Sequence, residues 1–292
     1  MSWRTVVISN RCKLDVKMGF MVVRGEETTR VFLDEIALLL IENPAVALTG
    51  CLLKELTEKK IRVVFCDEKR SPYAELAPYY GSYDAARKAR TQISWQSDLK
   101  RQVWTEIVSE KIRNQAKLLL ETGHPEESGM LNGYIGELTF GDETNREGHA
   151  AKVYFNALFG MDFTRTADTP LNAALNYGYG VLLSAFNREI TANGYLTQLG
   201  LSHDNMFNYY NLSCDLMEPF RVAVDRAVLA DPPTEFGTEQ KHRLLPFLNE
   251  TVLIDGSHQT LLNAIKIYTR SVFEALNEED ISKIRFFRWE ET

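Results

Sequence analysis

Three side chains in the second half of the sequence could together hold a hard divalent cation. They are Glu147 in Asn145-Arg146-Glu147-Gly148-His149, His203 in Leu201-Ser202-His203-Asp204, and Glu218 in Asp215-Leu216-Met217-Glu218-Pro219-Phe220-Arg221. Two carboxylates and an imidazole suit Mg2+ or Mn2+, which prefer oxygen and take an occasional nitrogen. Each residue also has a plainer reading. A helix from about 145 to 158 puts Glu147 on one stripe with Ala151, Tyr154, Phe155 and Leu158; a carboxylate there is costly unless paired or bound to metal. Yet Thr144-x-x-Glu147 also fits a capping box, and spacing alone favours that reading. A lone histidine is more often a structural or surface residue than a ligand, and a ligating one leans its other nitrogen on a carboxylate or carbonyl. Asp204 follows His203 directly and need not be that partner. Glu218 falls near one helical face with Asp215, Val222 and Asp225, which alone describes a solvated acidic face paired with Arg221. Pro219 adds a second option, because a proline inside a helix deletes a hydrogen bond and crowds the preceding turn. A kink or helix start there could aim the Glu218 carboxylate inward.

Between Glu147 and His203 lies Thr169-Pro170-Leu171-Asn172-Ala173-Ala174-Leu175-Asn176-Tyr177-Gly178-Tyr179-Gly180, in which Asn172, Asn176 and Tyr179 share a face. Close helix packing is the default reading, and support of a metal site is the alternative. The sequence has no Gly-Lys-Ser/Thr phosphate loop, no dinucleotide-binding glycine pattern and no nucleophile elbow, so ATP, NAD and acyl-transfer chemistry lack support. Net charge is −7, which taken alone argues against a polyanionic partner. Locally, residues 85–117 carry Arg87, Lys88, Arg90, Lys100, Arg101, Lys111, Arg113 and Lys117 against three acids, with Trp95 and Trp104 between them. That run is a candidate for phosphate contacts; otherwise it is solvated helix surface. The cysteines at 12, 51, 66 and 214 have neither zinc-like nor redox-like spacing and read as reduced, mostly buried thiols.

The elements that must position these residues fall into an α+β arrangement. Thr5–Ser9, Leu14–Met18, Met21–Val23, Arg30–Leu33, the apolar run Ile36–Ile41 and Lys60–Cys66 read as strands. Ala47–Lys59 reads as one helix, with Thr49 or Gly50 at its start. Ser71-Pro72 and Pro78-Tyr79-Tyr80-Gly81-Ser82 are punctuation, after which helical periodicity takes over nearly to the end. Thr169-Pro170 is a strong helix start. The expected organisation is a small β-rich domain over 1–75, a linker over 76–84 and a larger all-α catalytic domain over 85–292. No apolar run approaches membrane-spanning length and no secretory signal opens the sequence, so the expected location is the cytoplasm.

Taken in order, four segments resemble the CRISPR adaptation integrases, the nuclease/integrases that insert new spacers into CRISPR arrays. These segments are Arg146-Glu147-Gly148 through Phe155, Pro170 to Tyr179, Leu201-Ser202-His203, and Asp215 through Asp225. The start Trp3-Arg4-Thr5-Val6-Val7-Ile8 and Arg30-Val31-Phe32-Leu33-Asp34-Glu35-Ile36 look most like the type II branch. The resemblance implies that Glu147, His203 and Glu218 bind Mg2+ or Mn2+ and are catalytic, with His203 a ligand or a proton shuttle. Many relatives have Asp at the position of Glu218, which leaves open whether Asp215 shares that role. It implies transesterification of a repeat phosphodiester by the 3′-OH of incoming double-stranded DNA. It also implies a homodimer formed through the β domain, and two such dimers flanking a dimer of a small ferredoxin-like adaptation protein in a heterohexamer. Other adaptation proteins and the effector nuclease are further implied partners. From the residues alone, a non-catalytic DNA-binding scaffold and an unrelated metal-dependent phosphoesterase remain alternatives.

Overall fold

The computed structural model describes residues 4–68, 70, 72–77 and 82–289. Its first part is built around β5 (Ile36–Ile41), whose six residues Ile-Ala-Leu-Leu-Leu-Ile are all buried. A strand apolar at every position has no solvent face and must lie inside a parallel sheet covered on both sides. So it does. β1 (Arg4–Ile8) and β7 (Arg62–Cys66) flank it in parallel, and β8 (Pro72–Glu75) closes the edge antiparallel to β7. A second sheet is formed by β2 (Lys13–Lys17), β3 (Phe20–Arg24), β4 (Thr28–Phe32) and the short β6 (Ala47–Leu48), in the order β4-β3-β2-β6. The β2–β3 turn is Met18-Gly19, both at positive φ, which suits a tight hairpin.

Two departures from the sequence reading occur here. The helix read over 47–59 begins where Thr49 or Gly50 was expected to start it, as α1 (Gly50–Glu58) capped by the Thr49 side chain, which accepts a hydrogen bond from Leu52 N; the departure is that Ala47 and Leu48 pair with β2. Pro72, read as punctuation, opens β8, an edge position where a missing N–H is tolerated. Of the expected linker, Pro78-Tyr79-Tyr80-Gly81 lies outside the described residues, as does Trp3.

The remainder is helical: α2 (Ala85–Ser94), α3 (Ser97–Glu121), α4 (Pro125–Gly136), α5 (Arg146–Phe159), α6 (Pro170–Ala192), α7 (Asn211–Met217), α8 (Arg221–Ala230), α9 (Thr238–Leu244) and α10 (Leu261–Glu278). Thr169 caps α6 through Asn172 N, with Pro170 in its first turn, as its sequence dictates. The helical part also holds a hairpin of β9 (Thr251–Ile254) and β10 (Ser257–Thr260). The sequence reading did not resolve this hairpin. Its turn, Asp255-Gly256 at positive φ, carries the usual signal, but the flanking strands are too short to show a period.

The β-rich and helical parts share a core. Leu38, Leu40 and Val64 project from one face of the first sheet into the helical core, whereas Ile36, Leu39, Ile41 and Val63 pack with α1 and the second sheet. A polar belt reinforces the contact. Arg62 pairs with Glu75 at 3.0 Å and donates to Thr191 Oγ1 on α6, while Asn187 donates to Glu75 Oε1. Within the helical core α6 crosses α8 so closely that a Cβ on Gly178 would press into Val224 Cγ1. Gly178→Ala is therefore expected to lower stability by about 1–3 kcal/mol, since overpacking forces helices apart. Urea unfolding checks this; an unchanged midpoint would refute the close crossing.

Candidate active site

The centre of the helical part is a group of charges that could not be buried singly. α3 carries Trp104, Lys111 and Gln115 on one face, at i, i+7 and i+11. Lys111 Nζ lies 2.5 Å from Glu147 Oε1 and 2.5 Å from Glu218 Oε2. Glu218 is buried and is also bonded by Arg221 Nε at 2.8 Å. These two carboxylates, from α5 and from the segment between α7 and α8, therefore converge on one cation position. Ala151, Phe155, Arg165, Tyr179 and Asp225 complete an open cleft around it.

Local sequence explains how each carboxylate gets there. At the start of α5, Asn145 sits in the left-handed region and its side chain accepts from Gly148 N. Asp142 accepts from Arg146 N at 2.7 Å and Glu147 N at 3.0 Å. The capping box expected from Thr144 and Glu147 does not form, because Asp142 and Asn145 already satisfy the first-turn donors. That frees the Glu147 carboxylate for the cleft. At Glu218, α7 ends and a single 3-10 turn over Glu218–Phe220 re-aims the chain before α8. Pro219 causes the break, and Asn114 Nδ2 on α3 donates to the Pro219 carbonyl at 3.0 Å. The inward aim and the Arg221 pairing, read from sequence as alternatives, coexist.

His203 stands on a loop that Asp215 organises. The Asp215 carboxylate accepts Leu201 N, Ser202 N and His203 N at 2.6, 3.2 and 3.0 Å, and contacts His203 Nδ1 at 2.6 Å. A carboxylate can only accept, so Nδ1 carries the hydrogen and Nε2 keeps its lone pair for another partner. Trp104 meets the imidazole edge-on, with ring centroids 5.8 Å apart. The Asp215 bond raises the His203 pKa from its ordinary value, burial opposes this, and the charges of Asp215, Glu218 and Glu147 add to the rise. Asp215 is thereby committed to the loop, and Asp204 is not the partner of the imidazole.

Burial alone would raise the Glu218 pKa, but Arg221 and Lys111 pull it down to about 2. Asp225 is fully buried on α8 and accepts both the Tyr154 and the Tyr179 hydroxyl. Its burial outweighs those bonds and pushes its pKa up to about 6. Among the described residues no three His, Cys, Asp or Glu side chains stand in metal-ligating arrangement. The Lys111 ammonium instead occupies the cation position. Even so, the buried Glu218 Oε2 receives no properly aligned hydrogen bond, despite its 2.5 Å approach to Lys111. Carboxylate oxygens of this kind are the donor type that a hard divalent cation takes.

The basic run fares differently from its expectation as one DNA surface. Lys111 is buried in the cleft and is no surface contact. Arg87, Arg101 and Arg113 are paired with Asp84, Glu143 and Glu110. Lys88 leans on the Tyr195 ring, and Trp95 and Trp104 are buried in the core rather than offered for stacking. Arg90 is exposed and Lys100 half-buried on the outer faces of α2 and α3. Sequence reasoning named Lys111 only as a phosphate contact and not as the cation between the two carboxylates, and it missed Arg165 and Asp142 altogether. No helix among the described residues is long and apolar enough to cross a membrane.

A sequence profile of the family "CRISPR associated protein Cas1" matches residues 5–231. The chain belongs to the Cas1 family. Members named CRISPR-associated endonuclease Cas1 include one from Neisseria meningitidis, 33% identical over 98% of this chain and 96% of its own length. Another, from Francisella tularensis subsp. novicida, is 28% identical over 74% of each chain. The Cas1 fold recurs in a casposase solved bound to an integration product, with TM-score 0.79 and 16% identity over 96% of this chain and 91% of that one. A CAS1 protein from Thermotoga maritima has TM-score 0.75 and 18% identity over 94% and 97%. A chain of a Cas6-RT-Cas1–Cas2 complex has TM-score 0.74 and 17% identity; it covers 99% of this chain, which spans only 36% of that longer one.

Two outcomes follow for the site of this Cas1-family chain. Asp215→Asn removes the carboxylate whose hydrogen bond and charge raise the His203 pKa, so that pKa should fall. An NMR titration of its ring protons reads this directly, and an unchanged value would refute the pairing. Glu218 has a folded-state pKa below its usual 4.5, so its ionised form stabilises the fold above that pH, and the contribution is lost as pH falls toward 2. Wild-type stability should therefore drop more steeply than that of Glu218→Gln across this interval, measured by urea unfolding at stepped pH.

Proposed function

We propose that this chain is a metal-dependent DNA integrase and endonuclease that inserts new spacer DNA into a CRISPR array in the cytoplasm. The observation that carries the reading is the convergence of Glu147 and Glu218 on one cation position, with His203 held nearby by Asp215. The endonuclease name of a 33%-identical relative and the shared fold of a casposase bound to an integration product support it. Glu147, Glu218 and the free Nε2 of His203 would hold Mg2+ or Mn2+. When bound, such an ion would polarise the repeat phosphodiester and offset charge building on its oxygens.

The chain's own residues supply position and charge. An ion held there would take over the position that Lys111 fills between the carboxylates, and Arg221 would continue to pair with Glu218. Asp215 keeps His203 in the tautomer that exposes Nε2. The nucleophile is the 3′-OH of the incoming DNA. Its oxygen bonds to the repeat phosphorus, the bond to the repeat's own 3′ oxygen breaks, and that oxygen gains the proton the nucleophile gives up. One phosphodiester replaces another, so no ATP is consumed. With water as nucleophile the same site is a nuclease.

The chain would dimerise largely through its β-rich domain, two dimers flanking a dimer of a small ferredoxin-like adaptation protein. The Cas1–Cas2 complexes that share this fold support such partnering. Further adaptation proteins and the effector nuclease complete the proposed set. The test is strand transfer of labelled duplex DNA into a supercoiled CRISPR-repeat plasmid with Mg2+ or Mn2+. Glu147→Ala, His203→Ala and Glu218→Ala should each lower the rate by about 100-fold or more. Unaltered activity in the two glutamate variants would sink the assigned site. Turnover of small phosphoesters without action on DNA would overturn the reading itself.

A further inference from the structure

The loop between α5 and α6 contributes Arg165 to the same cleft as Glu147 and Glu218. Its guanidinium is held with unusual care. Nη1 donates to Asn172 Oδ1 at 2.6 Å, and Nη2 donates to Asn176 Oδ1 at 2.7 Å. The Asn172 amide cannot be turned the other way round, because its Nδ2 donates to the carbonyls of Thr164 and Ala167, each at 2.8 Å. Its oxygen therefore has to face Arg165. The guanidinium also lies over two rings, 5.8 Å from the Phe155 centroid and 5.3 Å from that of Tyr179. Arg221 stands over the same Tyr179 ring at 4.8 Å and is bonded to Glu218, so Arg165 is one ring away from the reacting carboxylates.

What holds Arg165 does not neutralise it. Lys111 and Arg221 in this cleft are paired with carboxylates. Arg165 has no carboxylate ion pair among the described residues, and the buried Asp225 reaches it only through space, being occupied by two tyrosine hydroxyls. Amide oxygens and ring faces orient a cation while leaving its charge available. Two of the five N–H donors are used, so the rest of the planar fork remains for a bidentate anion, the geometry that arginine offers to phosphate.

We infer that Arg165 is a phosphate-binding residue that grips the DNA backbone next to the phosphodiester reacting at Glu147 and Glu218. The inference rests on the integrase reading above. It also gives the Asn172–Asn176–Tyr179 face a role as a mount for Arg165.

The experiment measures binding of the full-length chain to a fluorescently labelled duplex with single-stranded 3′ ends across a salt series. The variants are Arg165→Met, Arg165→Lys and Asn176→Ala. A lost phosphate contact should weaken Arg165→Met about 10-fold at low salt and make its plot of log K against log salt shallower by about one contact, a slope change of roughly 0.7–0.9. Arg165→Lys should keep the wild-type slope but lose strand-transfer rate, because a point charge cannot replace the fork. Asn176→Ala should keep the slope and bind more weakly. A merely structural arginine would change thermal stability without changing the slope, and an unchanged slope in Arg165→Met overturns the inference while leaving the integrase reading intact. Wild-type protein that binds no DNA overturns both. Thermal protection by inorganic phosphate that is lost in Arg165→Met, with no change in the DNA slope, would assign the subsite to free phosphate and overturn the DNA contact.

Discussion

The interaction on which the rest of this structure depends is the buried Lys111 ammonium between Glu147 and Glu218. Two carboxylates and two cations, with Arg221 as the fourth member, sit where several helices meet, and the two buried members, Lys111 and Glu218, could not remain there unpaired. The balance dictates geometry. α3 must run through the middle of the bundle to deliver Lys111, α5 must present its first turn rather than its middle, and the α7–α8 segment must break at Glu218. A straight helix through Pro219 would carry that carboxylate elsewhere, and the break is fixed by Asn114 on α3, one turn beyond Lys111. The same helix thus supplies the counter-charge and the clamp.

Around that centre each functional group is held by another that does not itself react. Asp142 and Asn145 satisfy the α5 start and leave Glu147 free. Asp215 gathers three backbone N–H groups and the imidazole of His203. Gly200 permits this closure, since a Cβ there would meet the His203 carbonyl and the Asp215 carboxylate. Tyr154 and Tyr179 converge on Asp225. Such preorganisation matters for phosphoryl chemistry, in which the protein's main contribution is the placement of charge.

How much of this was legible in the sequence differs residue by residue, for physical reasons. β5 was legible because six consecutive apolar residues leave no choice of face. The α6 start was legible because Thr169-Pro170 acts locally. Glu147 was ambiguous because a capping box and an inward carboxylate share one spacing; the choice was made by Asp142, five residues upstream and outside the box. Asp215 could not be separated from Glu218 by spacing, since both lie on one helical path and only the three-dimensional loop at 201–203 claims one of them. Lys111 reads as surface because it belongs to a stretch with a net basic charge, whereas its partners in space are the carboxylates of Glu147 and Glu218. Arg165 gives no periodic signal at all, being a loop residue whose partners, Asn172 and Asn176, read from sequence as helix packing or as support of a metal site.

The β-rich part is not an appendage to this chemistry. Its central sheet lends Leu38, Leu40 and Val64 to the helical core. Buried Glu42, just past β5, accepts hydrogen bonds from Ser9 and Tyr177 and contacts His242 at 2.9 Å, joining the sheet to α6 and α9. Tyr177 and Tyr179 are two residues apart on α6 and face opposite tasks: one is anchored to the sheet, the other lies beneath Arg165 and Arg221. Gly178 between them fixes the crossing with α8, which carries Asp225. Any tilt of the sheet against α6 would have to break the Glu42 and Glu75 contacts or carry the Tyr179 ring with it.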